Sequence, residues 1–295
     1  MRSKSDKRWA LAGHIVMIVL SLLAIIPFVF LIIASFTSES AALRNGYSFF
    51  PEAWSLEAYK FIFQQKVMIG RAYAVTLLVT VVGTVAGIAI TSMLGFVVSR
   101  RDLPGRSIIL FVLVFAMLFR GGLTATYIVY TRVFNFKNTI FALIVPNLLL
   151  SIYNVQLFRN YYENSNLNAL IEAAHIDGAS EVRTFFKIIF PLSMPMVASI
   201  GLMQALTYWN NWQNGLYYLS TTSKLQTIQT ILNNINENIK FLQQNNLGST
   251  VTAGELPSAT VRMAIAVVGI LPILCLYPFF QKYFVRGMTA GAVKE

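Results

Sequence analysis

The chain has 295 residues, of which 56% are apolar, 13% aromatic and only 12% charged, with a mean hydropathy of +0.61. That balance excludes a soluble globular domain and describes an integral membrane protein, whose apolar runs of helix-spanning length make the expected fold all-α. The net charge of +11 comes without a basic stripe interleaved with aromatics, so the cations are read as topology signals and not as a nucleic-acid surface.

In chain order, the basic run Met1 to Arg8 precedes an apolar stretch, 11–36, about twice as long as the core of a secretory leader, and reads as a first span. Residues 37–72 carry Phe49-Phe50-Pro51 and then Trp54 to Tyr59, Phe61 and Phe63, which predicts a turn and an interfacial helix. Further spans are expected at 73–98, 107–130, 139–158, 191–218 and 260–281, each long enough for a hydrocarbon core of about 30 Å. Between the last two, residues 219–259 are rich in Asn and Gln and read as a solvated loop, helical in part from Leu225 to Phe241. With no composition break and no internal repeat, residues 1–295 are expected to form a single transmembrane domain of six spans. The single cysteine, Cys275, belongs to no disulfide or metal-ligand pattern and reads as a small hydrophobe.

An even number of spans places both termini on one side. Arg2, Lys4, Lys7 and Arg8, then Arg100, Arg101 and Arg106, then Arg159, Arg183 and Lys187, and finally Lys282, Arg286 and Lys294 gather on that side, which the positive-inside rule makes cytoplasmic. The polar island 159–190 then faces the cytoplasm. Within it Leu167, Leu170, Ile171 and Ala174 follow a helical repeat, and Val182, Phe185, Phe186 and Ile189 repeat it after Asp177-Gly178. Two short amphipathic helices joined at a glycine are predicted.

Glu172, Ala173, Ala174, Gly178, Ile188 and Pro191 fall at the spacing of the EAA loop, and the chain resembles the membrane subunits of binding-protein-dependent ABC importers. Phe190 departs from that pattern, standing where a Leu is usual. The resemblance implies the type I importer fold, with the island as coupling helices that pass motion from a soluble motor into the bilayer. Glu172, Ala173, Ala174, Asp177, Gly178 and Phe185 are its ATPase-coupling candidates. The alternative is an ordinary cytoplasmic loop carrying a helical hairpin.

Other classes fit poorly. None of the twelve Asp and Glu residues lies within an expected span, where a secondary transporter would place ion-relaying carboxylates. The two histidines, His14 and His175, lie near or beyond the cytoplasmic boundary, so an intramembrane enzyme has no base there. No Gly is followed by Lys, so the chain has no phosphate loop and is expected to be non-catalytic, with no cofactor of its own. The resemblance implies a second permease subunit, two ATPase subunits that hold ATP and Mg, and an extracytoplasmic solute-binding protein, in a bacterial cytoplasmic membrane. A permease for peptides or amino acids, and on composition alone a gated channel, remain alternatives.

Gly121-Gly122-Leu123 with Thr126-Tyr127, the cluster Tyr208-Trp209-Asn210-Asn211-Trp212 and the tail Phe284 to Lys294 are similar to the carbohydrate-uptake branch related to the maltose system's second membrane subunit, within it to importers of complex oligosaccharides. Pyranose rings stack C–H faces on aromatics and need donors and acceptors for their hydroxyls, so Tyr208, Trp209, Asn210 and Asn211 suit a sugar pathway. An aromatic belt at the outer interface is the other reading of these residues, and helix packing is that of Gly121 and Gly122. The tail is implied to touch the ATPase dimer, or is a plain terminus. Arg120, mid-span, needs a partner or water. It pairs either with carbonyls freed at the glycines or with the carboxylate of an acidic sugar, a place where the related permeases often carry a small polar residue.

Overall fold

Apolar segments of this length fold as helices because hydrocarbon offers backbone N–H and C=O groups no other partner. In the computed structural model the described residues are 4–119, 121–164, 167–244 and 259–292. Among them the regular structure is helical, with one isolated antiparallel bridge, Thr37 to Trp54. The chain divides into two compact units: one is the chain up to Ile69 with Leu232–Pro272, the other Gly70–Ile231 with the chain from Ile273.

The first unit begins with α1 (Lys4–Ser35), whose apolar side chains from Leu11 to Ile32 are largely exposed, as suits a helix that faces lipid or another subunit. The Ser38 side chain caps α2 (Glu39–Asn45). The interfacial helix expected after Trp54 appears as α3 (Glu57–Gln64), held by the stacking of Tyr59 on Phe36 with centroids 4.8 Å apart. Thr260, at the start of the last helix, donates from its N–H and hydroxyl to Glu39.

The second unit is organised on α4 (Lys66–Ser99), which with Trp9–Ser35 of α1 is long and apolar enough to cross a bilayer. The expected spans 107–130, 139–158 and 191–218 differ from single continuous helices. The 107–130 run divides into α5 (Arg106–Leu118) and α6 (Gly122–Ile128), which passes into a π-helical turn, Val129–Val133. Phe119 is extended and Gly122 sits at φ +78°, a value that favours glycine, so the Gly pair ends one helix and starts the next.

The 139–158 run is interrupted between α7 (Phe141–Ile144) and α8 (Ile152–Asn164), across Pro146 and a left-handed Asn147. Helix resumes after Ser151, whose hydroxyl accepts from Asn154 N–H, and runs past the expected boundary to Asn164. After α9 (Leu167–Ile176) and α10 (Glu181–Thr184), a π-helical turn Phe185–Ile189 leads into α11 (Phe190–Leu192).

At Ser193 the path bends by 80° into α12 (Met194–Trp209). Pro195 in the first turn of α12 has no N–H to continue the preceding ladder, and the Ser193 hydroxyl turns back to Ile189 O at 2.6 Å. Asn210 to Trp212 separate α12 from α13 (Gln213–Tyr218). The expected loop helix is α14 (Ile228–Gln244), close to its expected bounds, and the rest of that loop, 245–258, lies outside the described residues. The last helix is α15 (Ala259–Ala292).

Packing of α12 on α4 depends on two glycines one turn apart. A Cβ on Gly83 would overlap the Tyr208 ring, and one on Gly87 would overlap the Gln204 amide and stand 3.0 Å from Leu149 O. The close approach lets three polar side chains reach the interrupted α7–α8 segment. Tyr208 Oη donates to Ile144 O at 2.9 Å, Asn214 Nδ2 to Pro146 O at 3.0 Å and Gln204 Nε2 to Leu148 O at 3.4 Å. An unpaired buried carbonyl costs about 1–3 kcal/mol, so side chains here replace the ladder that the break removes.

Candidate functional site

The island 159–190 packs one face inward. Leu167, Ile171 and Ala174 of α9 and Phe185 and Ile189 of the following turn are buried, most of them in a core with Ile88, Phe96, Phe158 and Ile200. Gly178, at φ +75°, reverses the chain after α9, with Gly178 N–H and Ala179 N–H returning to His175 O and Ala174 O. Ser180 then accepts from Arg183 N–H and starts α10.

Other positions of the expected apolar stripes are not docked on this chain. Leu170, Val182 and Phe186 are 45%, 67% and 55% exposed, and Ile176 is 87% exposed. Glu172, Ala173 and Asp177 are exposed beside them. Each helix therefore has a second apolar edge that its own core leaves uncovered.

Charges fix the island to the 99–106 turn. Arg100 binds Asp102 through two contacts of 3.1 and 3.0 Å and lies 3.5 Å from Glu181, whose other neighbour is His175 Nε2 at 3.0 Å. The hydrogen bond from Arg100 holds the Asp102 carboxyl below the usual carboxylate range. The same bond, with Glu181 nearby, raises Arg100 above its ordinary value against the opposing effect of burial. Glu163 is shared by Arg159 at 2.9 Å and Arg106, and Arg106 also donates to Val98 O at 2.9 Å. Between these groups lies a cleft of about 400 Å³ lined by Arg100, Arg101, Asp102, Glu163, Glu172 and His175 among others.

The residues assigned from sequence to a substrate pathway separate into buried and open sets. Tyr208 and Trp209 are 2% and 3% exposed, and Tyr208 spends its hydroxyl on Ile144 O. Asn210 and Asn211, with Thr207, Trp212 and Gln213, line an open cavity of about 340 Å³ where α12 ends. Gly121 and Gly122 are exposed, and Tyr127 stacks on Tyr218 with centroids 5.8 Å apart. Arg120, and Val293 and Lys294 of the tail, lie outside the described residues. Among the described residues no cluster of His, Cys, Asp and Glu could hold a metal ion.

No protein-family model matches the chain. It is 34% identical over 278 residues to the polygalacturonan/rhamnogalacturonan transport system permease protein of Bacillus subtilis, covering 94% of this chain and 95% of that one. It is 28% identical over 280 residues to the trehalose/maltose transport system permease protein of Thermococcus litoralis, covering 94% of each. Among solved structures it matches a chain of a bacterial ABC transporter involved in the import of the acidic polysaccharide alginate, with a TM-score of 0.75 and 25% identity, covering 96% of this chain and 99% of that one. The chain belongs to the permease subunits of carbohydrate ABC importers.

Several residues of these sites escaped the sequence reading. The spacing Gly83-x-x-x-Gly87 was the available signal for the α4–α12 contact. Gln204 and Asn214 could have been singled out as uncharged polar residues within an apolar run. The i,i+4 spacing of Arg159 and Glu163 was the local signal for that pair, but nothing local marks Arg106 as its third member, 57 residues away.

Proposed function

We propose that this chain, as one transmembrane domain of six spans with both termini cytoplasmic, lines half of the translocation pathway of an ATP-driven importer for acidic oligosaccharides. The observation that carries the coupling part is the uncovered apolar edge of the island, Leu170, Ile176, Val182 and Phe186, beside the exposed Glu172. Exposed apolar surface rimmed by charge marks a docking face, and a motor that hydrolyses ATP and holds Mg fits it. Glu172, Ala173 and Asp177 meet that motor, while Gly178 holds the island's angle and the buried Ala174 and Phe185 hold its root. Two such ATPase subunits, a second permease subunit and an extracytoplasmic binding protein complete the machine in the bacterial cytoplasmic membrane.

The motion proposed for this geometry is alternating access. A rigid island joined through an 80° bend to α12 transmits motor closure to a helix packed on α4, and the cavity at Asn210 and Asn211 lies at the far end of that same helix. The acidic character of the cargo draws support from relatives whose names carry polygalacturonan, rhamnogalacturonan and alginate. Arg120, a cation within an apolar run, suits a uronate carboxylate.

The test is uptake by the assembled importer in proteoliposomes. Accumulation of trigalacturonate that requires ATP and the binding protein is expected. Uptake down a gradient without ATP would make the chain part of a channel, and uptake of peptides in place of oligosaccharides would replace the substrate class.

A further inference from the structure

We propose that the face built from Tyr130, Phe134 and Phe136 with Arg132 and Lys137 is a binding surface for the uronate units of an acidic oligosaccharide. This deepens, and rests on, the substrate reading above. The rings form a near-parallel series: Tyr130 to Phe136 at 6.1 Å and 18°, Phe134 to Phe136 at 5.5 Å and 27°, and Phe136 to Phe141 at 5.7 Å and 28°. Phe134 and Phe141 are more than half exposed, and Arg132 and Lys137, in sequence between Tyr130 and Phe134 and next to Phe136, are exposed as well.

Charge at this end of the unit is one-sided. Within Gly70–Ile231 all the carboxylates, Asp102, Glu163, Glu172, Asp177 and Glu181, belong to the 99–106 turn or the island region. The opposite end holds Arg71, Arg132, Lys137 and Lys224 with no carboxylate. That these are opposite ends follows from contacts along α4, 34 residues or about 50 Å long. Gly95 abuts Phe158 near its C-terminal end, whereas Thr76 near its N-terminal end accepts from Ile228 N–H at 3.0 Å, and Asn138 N–H donates to Tyr218 O at 3.0 Å beyond α12. Under the proposed topology the aromatic face is therefore external, where cargo arrives.

The segment is irregular yet fixed. Phe134 N–H returns to Val129 O and Phe136 N–H to Tyr130 O, Asn135 and Asn138 take left-handed φ of 54° and 57°, and Asn138 Oδ1 accepts from Ser220 N–H at 2.6 Å. A loop closed this way presents its side chains preorganised, which lowers the entropy that a ligand must offset. Ring faces take the C–H faces of pyranoses, and a guanidinium and an ammonium take carboxylates, so one short segment supplies both halves of uronate recognition.

The test uses the assembled importer in proteoliposomes with trigalacturonate and its methyl ester, comparing wild type with R132Q/K137Q and with the charge-preserving R132K/K137R. The proposal expects KM for trigalacturonate to rise about fivefold to tenfold in the glutamine variant, with kcat and the ester's KM unchanged and the charge-preserving variant near wild type. An unchanged KM for trigalacturonate beside normal wild-type uptake overturns the surface alone and leaves an interfacial aromatic belt. Equal rises for both substrates, or a rise in the binding-protein concentration that half-saturates ATP hydrolysis, overturn it in favour of docking of the binding protein. Absence of wild-type trigalacturonate uptake overturns the substrate reading, and this surface with it.

Discussion

The two ends of the Gly70–Ile231 unit use the same residue types differently. At the island end Arg100, Arg106 and Arg159 each meet a carboxylate, and two carboxylates, Glu163 and Glu181, are each shared by two basic groups. At the other end Arg132 and Lys137 belong to the same short segment as Tyr130, Phe134 and Phe136, with no carboxylate in that part of the chain. Paired cations staple a turn to the helices it joins, which suits the coupling role proposed for the island. Cations without carboxylates keep their field for something that comes from solution.

The comparison breaks at once if the two ends lie on one side of the membrane, so the largest expected effect is an all-or-none one. In a chain with Cys275 replaced by Ala, a cysteine at Asp177 is expected to react with an impermeant maleimide only from the cytoplasmic side. One at Lys137 is expected to react only from outside. Both positions are exposed in this chain, so with the ATPase subunits left out, failure to react from the expected side cannot be laid to burial. Labelling of both from the same side would remove the external surface.

The next effect sharpens the mechanical half of the comparison. Gly178 at φ +75° has open space around its missing Cβ, so Gly178→Val strains the backbone without a steric clash. A β-branched residue held there costs on the order of 1–3 kcal/mol, and the turn is expected to relax to another angle. Substrate-stimulated ATP hydrolysis should fall more than tenfold while the subunit still inserts and assembles, one tenfold step corresponding to about 1.4 kcal/mol of coupling. Glu172→Lys, which leaves the turn intact, should reduce stimulation through the docking face instead. Full transport by both variants would take away the coupling role of the island.

Much of this architecture is legible in the sequence because it depends on local signals. The apolar runs mark the helices, Gly178 marks the reversal, and Trp54 to Tyr59 marks the short helix α3. The breaks are harder. A run such as 139–158 averages as apolar, and only Pro146 hints that it divides, because the side chains that repair the break, Gln204, Tyr208 and Asn214, come from more than 50 residues away. The island shows the opposite error: helical periodicity identified Leu170, Val182 and Phe186 as apolar-face positions, yet a periodicity cannot say whether the surface that covers a face belongs to the same chain. Those three positions are exposed in this chain, and the proposed function assigns their cover to another polypeptide.

Tyr208 gives the smallest expected effect and decides between two roles for one residue. Read from sequence, it sits in an aromatic and amide cluster suited to sugar. In the structure it is 2% exposed, its ring lies against Gly83, and its hydroxyl donates to Ile144 O at 2.9 Å across the interrupted α7–α8 segment. Tyr208→Phe keeps the ring and removes that bond together with the hydroxyl's hydrogen bond to Gln204, leaving a buried carbonyl short of one donor at a cost of about 1–2 kcal/mol. The helix break should loosen without opening a cavity, so thermal stability of the assembled importer should drop by a few degrees, on the scale of roughly 2–4 °C per kcal/mol. KM for trigalacturonate should stay within about twofold of wild type, because Asn210, Asn211 and Trp212, not Tyr208, line the open cavity. Unchanged stability with a raised KM would show that the hydroxyl turns from Ile144 toward cargo during the cycle, and the buried latch would then be a moving part of the pathway.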